Sequence, residues 1–246
     1  MQIDARTVKK HFEKSMEDYD KNAVVQRLIA GKLIDELVKI KTSFSDVLEL
    51  GSGTGLLTKE FFARCKCTSF TANDLTARSK FYLDKILPDY EFIAGNAEKI
   101  KTGKNFDLII SNAMFQWFSD FKNSVNFKLY SMLKNDGLLA FTTFSENNFK
   151  EIRKTTGISL EYKKFTDLKE ILAENYKILH AEEFDYKMNF TSALELLAHM
   201  KHTGVNSLGT RKWTFVEVKK FCEEYQKLYP EISLTYSPVI FIVQKK

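Results

Sequence analysis

Three glycines spaced two apart, with a carboxylate two residues ahead of them, carry the clearest chemistry in this chain: Glu49-x-Gly51-x-Gly53-x-Gly55. Residues 47–50 are apolar except for Glu49 and read as a central parallel strand. Glycine reaches positive φ and lets another molecule come close to the backbone. A helix opening near Leu56 would present free N–H groups beside that turn. A dinucleotide fingerprint has two residues between its last glycines, and this loop has one. No Lys-Ser or Lys-Thr follows, so a phosphate-cradling loop is disfavoured as well. Glu49 would repel a pyrophosphate and suits a ligand bearing an ammonium group.

Later strand ends add to this. Asp74 closes a strand expected over 68–72 and can accept hydrogen bonds from two ribose hydroxyls. Asn96 follows a strand at 90–94 and could meet an adenine edge, and Asn112 follows a strand at 106–111. Ligands of open parallel sheets bind outside the carboxyl ends of the strands, so four polar strand ends in succession point to a cofactor cleft. The glycine motif, Asp74, the turn Gly95-Asn96-Ala97-Glu98 and the run from Phe106 to Asn112 together resemble the class I S-adenosylmethionine-dependent methyltransferases. The resemblance implies S-adenosyl-L-methionine as cofactor and S-adenosyl-L-homocysteine as product. It places the methionine part on Glu49 and Gly51, with Ser52, Gly53 and Gly55 completing the loop. It places the ribose on Asp74, the adenine beside Leu75, Asn96 and Ala97, and Asn112 at the same site. Asn96 departs from the family, which more often has Asp there; an amide can still accept from an adenine amino group.

The outer segments are more distinctive. Tyr19-Asp20-x-x-Ala23-x-x-Gln26, the run from Asn112 to Phe118, His199-Met200-Lys201-x-Thr203-Gly204-Val205-Asn206 and Gly209-Thr210-Arg211-Lys212 resemble the malonyl-acyl-carrier-protein O-methyltransferase family of biotin synthesis. That resemblance implies methylation of the free carboxylate of a malonyl thioester on an acidic acyl carrier protein. The product would be the methyl ester primer for pimeloyl and biotin synthesis. A carboxylate is already ionised at neutral pH, so no general base is required. What is required is orientation for in-line attack and a cation to hold the carboxylate. From Ser192 to Trp213 the one acid, Glu195, faces Lys201, Arg211 and Lys212 with His199 and His202. Arg211 is the expected clamp, because a guanidinium grips a carboxylate through two parallel bonds. Lys201, His202 and Lys212 are expected to meet the carrier protein. Tyr19 is expected in a break between two helices, bonding the acceptor carboxylate or lining the transfer site; an ordinary packed tyrosine is the plain alternative. Gln116 and Trp117 follow the fourth strand end, where an acceptor should lie, with Trp117 as core the bland reading. Tyr19, Arg211 and Gln116 form the expected catalytic set. Methylation of a small carboxylic acid or another metabolite, and a catalytically silent S-adenosylmethionine-binding protein, remain open. A nicotinamide oxidoreductase is disfavoured by the loop spacing.

Periodicity supplies the elements that must position these groups. Residues 8–17 read as a short charged helix broken over 18–22, and the apolar residues of 23–40 recur at helical spacing. Strands are expected at 47–50, 68–72, 90–94, 106–111 and 138–144, and helices at 57–64, 81–86 and 124–133. This alternation predicts an α/β fold with a doubly wound, mostly parallel sheet, seven-stranded and Rossmann-like as the resemblance implies. After Ser145 the rhythm changes. A helix is expected at 165–175, one long strand or a pair at 176–190, helices at 193–203 and 215–229, and a β-rich end at 232–243 in which Pro238 argues for an edge or a bulge. One domain, 1–246, is expected: a helical lid 1–42, a cofactor core 43–190, a helical cap 191–230 inserted before the last strand, and a final strand 231–246.

With 246 residues the chain can bury a large core. Its formal charge of +5, with both signs dispersed, is too mild for a nucleic-acid partner and compatible with an acidic one. Residues 1–21 lack an apolar stretch, so no signal peptide is expected. No run approaches the roughly 18 apolar residues that span a bilayer. Cys65, Cys67 and Cys222 lack zinc spacing and read as reduced thiols of a cytoplasmic protein. No histidine pair has metal spacing, so no metal is expected, and a monomer is expected.

Overall fold

The computed structural model describes residues 5–203 and 213–246. Two helices open the chain, α1 (Ala5–Asn22) and α2 (Val24–Val38), with only Ala23 between them. The expected break at 18–22 is corrected. No Gly or Pro interrupts that stretch, and Tyr19 packs edge-on against Phe12 two turns earlier, at 5.2 Å between ring centres. Hydrogen bonding continues through the joint, since Ala23 N–H donates to the Tyr19 carbonyl and Ala23 C=O accepts from Arg27 N–H, at 2.8 and 3.0 Å.

The alternating part follows as β1 (Ser43–Leu50), α3 (Leu56–Arg64), β2 (Lys66–Asp74), α4 (Ser79–Leu83), β3 (Glu91–Ala94) and β4 (Phe106–Ser111). Then come α5 (Phe121–Asn123), a π-helical stretch Ser124–Leu129, α6 (Tyr130–Met132) and β5 (Leu133–Phe144). The remainder is α7 (Lys150–Thr156), α8 (Phe165–Ala173), β6 (Tyr176–Glu183), β7 (Tyr186–Asn189), α9 (Ala193–His202), α10 (Phe215–Leu228), β8 (Ser233–Tyr236) and β9 (Pro238–Lys245). The described residues form a seven-stranded sheet in the order β3-β2-β1-β4-β5-β9-β6, with β9 antiparallel to both of its neighbours and the other pairings parallel. Strand order reverses between β1 and β4, which is where such sheets bind ligands.

Side chains alternate across each strand, so each face of the sheet has its own core. Leu48, Leu50, Ile109, Leu139, Phe141 and Phe241 meet Val125, Leu129, Leu168 and Leu172 on one face. Val47, Leu108, Ile110, Ala140 and Ile240 meet Leu33, Ile34 and Leu37 of α2 and Leu57 and Phe61 of α3 on the other. A third cluster joins Val25 and Ile29 of α2 to Leu196, Met200, Phe221, Tyr225 and Tyr236, tying α9, α10 and β8 to the N-terminal helices.

Three expectations for the second half change. Pro238 marks neither an edge nor a bulge: it is the first residue of β9, an interior strand, and that position tolerates the missing N–H. The expected final strand is two strands, β8 and β9, separated by Ser237, and β8 pairs with β7 in a separate two-stranded sheet. Helix α7 escaped periodicity because its seven residues are mostly polar.

Candidate active site

The site is built at the reversal point. Gly51, Gly53 and Gly55 have φ of 72°, 55° and 81°, the left-handed region that the tight turn demands. The loop is pinned to the end of β2, because Gly51 N–H and Ser52 N–H both donate to the Asn73 carbonyl at 2.9 and 3.0 Å. Asp74 then reaches back: its Oδ2 accepts from Gly53 N–H at 2.8 Å and its Oδ1 from Thr76 N–H at 2.9 Å. Helix α1 lies over this loop so closely that a Cβ on Gly53 would stand 3.2 Å from the Phe12 ring.

Two buried acids flank the loop. Glu49 is 1 % exposed, and its Oε2 accepts from the Thr58 hydroxyl at 2.6 Å. Burial pushes its carboxyl up to about 8 from 4.5; the Thr58 hydroxyl opposes that rise and the Asp74 charge adds to it. Burial also raises Asp74, against the N–H groups of Thr76 and Gly53. Burial, then Asp20 and Asp74, move the Tyr19 phenol upward, so it stays a protonated donor at neutral pH.

A cleft of about 1240 Å³, partly open to solvent, is lined by Tyr19, Glu49, Gly51, Ser52, Gly53, Asp74, Leu75, Asn96, Ala97, Asn112, Gln116 and Trp117, all named from sequence. Gly55 is the exception. It does not line the cleft; it starts α3, and a Cβ there would strike Ile86, so its role is steric. Two other residues reach the cleft with their side chains already engaged. Gln116 Nε2 donates to the Ala113 carbonyl at 2.6 Å, and its Oε1 accepts from Thr143 at 3.2 Å. Asn112 Nδ2 donates to the Gln26 carbonyl at 3.0 Å, and its Oδ1 accepts from the Thr142 hydroxyl at 2.7 Å. Both amides therefore shape the wall more than they offer free contacts. Asn96 Oδ1 accepts from Glu98 N–H at 2.8 Å. Lys201 and His202 sit on α9 away from the cleft wall, with His202 Nδ1 3.8 Å from an Asp18 carboxylate oxygen of α1. Arg211 and Lys212 lie outside the described residues. The structure thus brings Tyr19 and Gln116 together and leaves Arg211 undescribed.

Sequence reasoning missed Val8, Lys9 and Phe12 of α1, Gln26 of α2, and Met114, Phe144 and Thr203, all of which line the cleft; Phe118, weighed with Trp117 as core or acceptor wall, lines it too. Val8 and Phe12 carried a faint signal, since they begin a stripe of apolar residues at helical spacing that Met16 and Tyr19 continue on a largely charged helix. Lys9 is the only lysine or arginine on the cleft wall among the described residues. Among the described residues no cluster of three or more His, Cys, Asp or Glu could hold a metal ion.

The donor set fits S-adenosylmethionine. Asp74 lines the cleft with its carboxylate held by the Gly53 and Thr76 N–H groups, an acceptor suited to a ribose diol. Glu49 offers charge for an ammonium group. The Ser52 hydroxyl is buried on the cleft wall without a partner among the described residues, an orphan that a ligand carboxylate would satisfy.

A family model described as a methyltransferase domain matches residues 47–137. A malonyl-[acyl-carrier protein] O-methyltransferase of Calditerrivibrio nitroreducens is 38 % identical over 245 residues, covering 97 % of this chain and 96 % of the relative. One from Haemophilus ducreyi is 32 % identical, with the same coverage of 97 % and 96 %. Among solved structures, the N-methyltransferase NodS of Bradyrhizobium japonicum, bound to S-adenosyl-L-homocysteine, superposes with a TM-score of 0.54 at 13 % identity, covering 89 % of this chain and 86 % of that one. That likeness speaks for the fold alone.

Proposed function

The chain belongs to the malonyl-[acyl-carrier protein] O-methyltransferase family, and from that premise we propose that it transfers a methyl group from S-adenosyl-L-methionine to the free carboxylate of a malonyl thioester on acyl carrier protein. The observation that supports this reading most is the reach of the likeness. It covers 97 % of the chain, including α1 and α9, which lie outside the 47–137 match to a general methyltransferase domain. These outer elements add Val8, Phe12, Tyr19 and Thr203 to the cleft wall.

S-adenosylmethionine supplies the methyl group as an electrophile on a sulfonium. Glu49 and the glycine loop would hold its amino-acid part, Asp74 its ribose, and Leu75, Asn96 and Ala97 its base. The acceptor carboxylate needs no deprotonation at neutral pH, so the chain's task is to hold and orient it. Tyr19, kept neutral by burial, is the proposed hydrogen-bond donor to that carboxylate. Arg211 is the proposed cation, with Lys9 at the cleft wall as the described alternative. Phe12, Trp117, Phe118 and Phe144 give the wall an apolar surface that excludes water and strengthens these contacts. The same proposal divides the chain into a helical lid 1–42, a cofactor-binding core 43–190 completed by 231–246, and a helical cap 191–230, in a monomeric cytoplasmic enzyme of biotin synthesis. Lys201 and His202 on the surface of α9 suit an acidic carrier, as do Arg6, Lys10 and Lys14, exposed at four-residue spacing on α1.

The test is a methylation assay on malonyl-acyl carrier protein beside malonyl-coenzyme A and free dicarboxylates. A methyl ester on the carrier-bound malonyl group is expected. Esters on free dicarboxylates alone would move the reading to small acids, and cofactor binding without any product would make the protein a silent binder. In the same assay Arg211→Ala is expected to lower acceptor turnover while leaving S-adenosylhomocysteine affinity near that of the parent, read by calorimetry.

A further inference from the structure

Gln26 is 2 % exposed, yet it borders the cleft, and its Oε1 meets no donor among the described residues. Buried acceptors without a partner are rare because water was given up with nothing in exchange. The residue is also held where it is. Its carbonyl accepts from Asn112 Nδ2, Asn112 Oδ1 accepts from the Thr142 hydroxyl, and Thr142 Oγ1 accepts in turn from Ala113 N–H, at 3.0, 2.7 and 2.9 Å. This relay ties α2 to the ends of β4 and β5 and holds the Gln26 backbone at the cleft wall.

Its position selects the ligand atom. Asp74, Asn96 and Ala97 stand on the β2–β3 side of the glycine loop, and Asn112 with Gln26 stands on the β4 side. A donor molecule with its ribose on Asp74 and its base beside Asn96 directs its amino-acid end across Glu49 toward β4. An amide oxygen needs a hydrogen-bond donor, and the donor group at that end is the α-ammonium. We infer that Gln26 Oε1 accepts a hydrogen bond from the α-ammonium of S-adenosylmethionine and of S-adenosylhomocysteine. Glu49 then supplies charge and Gln26 supplies direction. The inference rests on the S-adenosylmethionine part of the proposed function and is independent of which acceptor receives the methyl.

Three ligands separate the atoms involved. S-adenosylhomocysteine has the ammonium and the carboxylate, decarboxylated S-adenosylmethionine has the ammonium alone, and 5′-methylthioadenosine has neither. Binding of each to the full chain is measured by calorimetry for the parent, Gln26→Ala and the length-matched Gln26→Met. Both variants are expected to lose roughly tenfold or more in affinity for the two ammonium-bearing ligands, as for a hydrogen bond to a charged group. Affinity for 5′-methylthioadenosine is expected to stay within about twofold of the parent, which also certifies a folded cleft. Equal loss for all three ligands, loss for S-adenosylhomocysteine only, or no loss would overturn the assignment. If the parent itself binds none of the three, the donor reading fails instead, and the two failures are distinct.

Discussion

Glu49 and Asp74 share one buried cleft, and their acidity makes the ligand-free site sensitive to pH. The Glu49 carboxyl sits at about 8 in the folded chain against 4.5 unfolded, so between those values the folded state binds the extra proton. Its contribution to stability is complete below about 4.5 and is lost as the pH rises through about 8. Glu49→Gln removes that titration. The pH dependence of the urea midpoint should flatten over this window relative to the parent, and an unchanged slope would exclude Glu49 as its source. A cationic ligand end selects the ionised carboxylate, so S-adenosylhomocysteine binding below about pH 8 should release a proton, read as a buffer-dependent calorimetric enthalpy. Asp74→Ala should weaken the same ligand by about 1–3 kcal/mol, the worth of hydrogen bonds to a charged acceptor. At this scale the glycines, Glu49 and Asp74 were legible because their chemistry is local: a turn, a strand end, a carboxylate. Gln116 and Asn112 were also named from the sequence, but their engagement was not legible, because it depends on Thr143 and Thr142, which are remote in sequence, and Gln26 was not assigned to the site at all.

Among elements, the βα turn that carries Gly55 differs from the rest of its loop. Gly55 heads α3 in the left-handed region, with Ile86 occupying the space a Cβ would need. Gly55→Ala should therefore destabilise the fold by about 1–3 kcal/mol, seen in the thermal midpoint. The folded fraction should bind S-adenosylhomocysteine nearly as before, whereas a specific loss of affinity without loss of stability would return Gly55 to the cofactor set. Strands β1 to β5 and helices α2, α3, α8, α9 and α10 were legible from their apolar periods. The splitting of 232–243 into β8 and β9 was not. Alternation shows that a segment is extended, but not which neighbour it pairs with, and Pro238 is equally at home at a strand's first position and at an edge.

At the scale of the molecule, the glycine loop and the ends of β1 to β3 follow one another along 47–97, and so that part of the cleft could be read in advance. The rest of the cleft wall is assembled from α1, α2, the residues after β4 and Thr203 after α9, which meet only when the chain is folded. Its apolar residues looked like ordinary core for that reason. The basic balance of the chain, +5 overall, predicts a further difference between substrates. The KM for malonyl-acyl carrier protein should rise with added salt more steeply than the KM for malonyl-coenzyme A, and parallel curves would remove the surface charges of α1 and α9 from carrier recognition. One feature of the fold also has a bearing on time. Helix α1 spans the glycine loop and joins α2 through Ala23 alone, held down by Phe12 over Gly53 and by polar links from Glu13 to Thr76 and from Asp20 to Thr54, both at 2.5 Å. A ligand seated on the loop would lie beside that helix, so α1 is expected to slow the departure of spent product. Removing residues 1–22 should speed both arrival and departure of S-adenosylhomocysteine, a change in exchange rate that stopped-flow fluorescence from Trp117 on the cleft wall would follow directly.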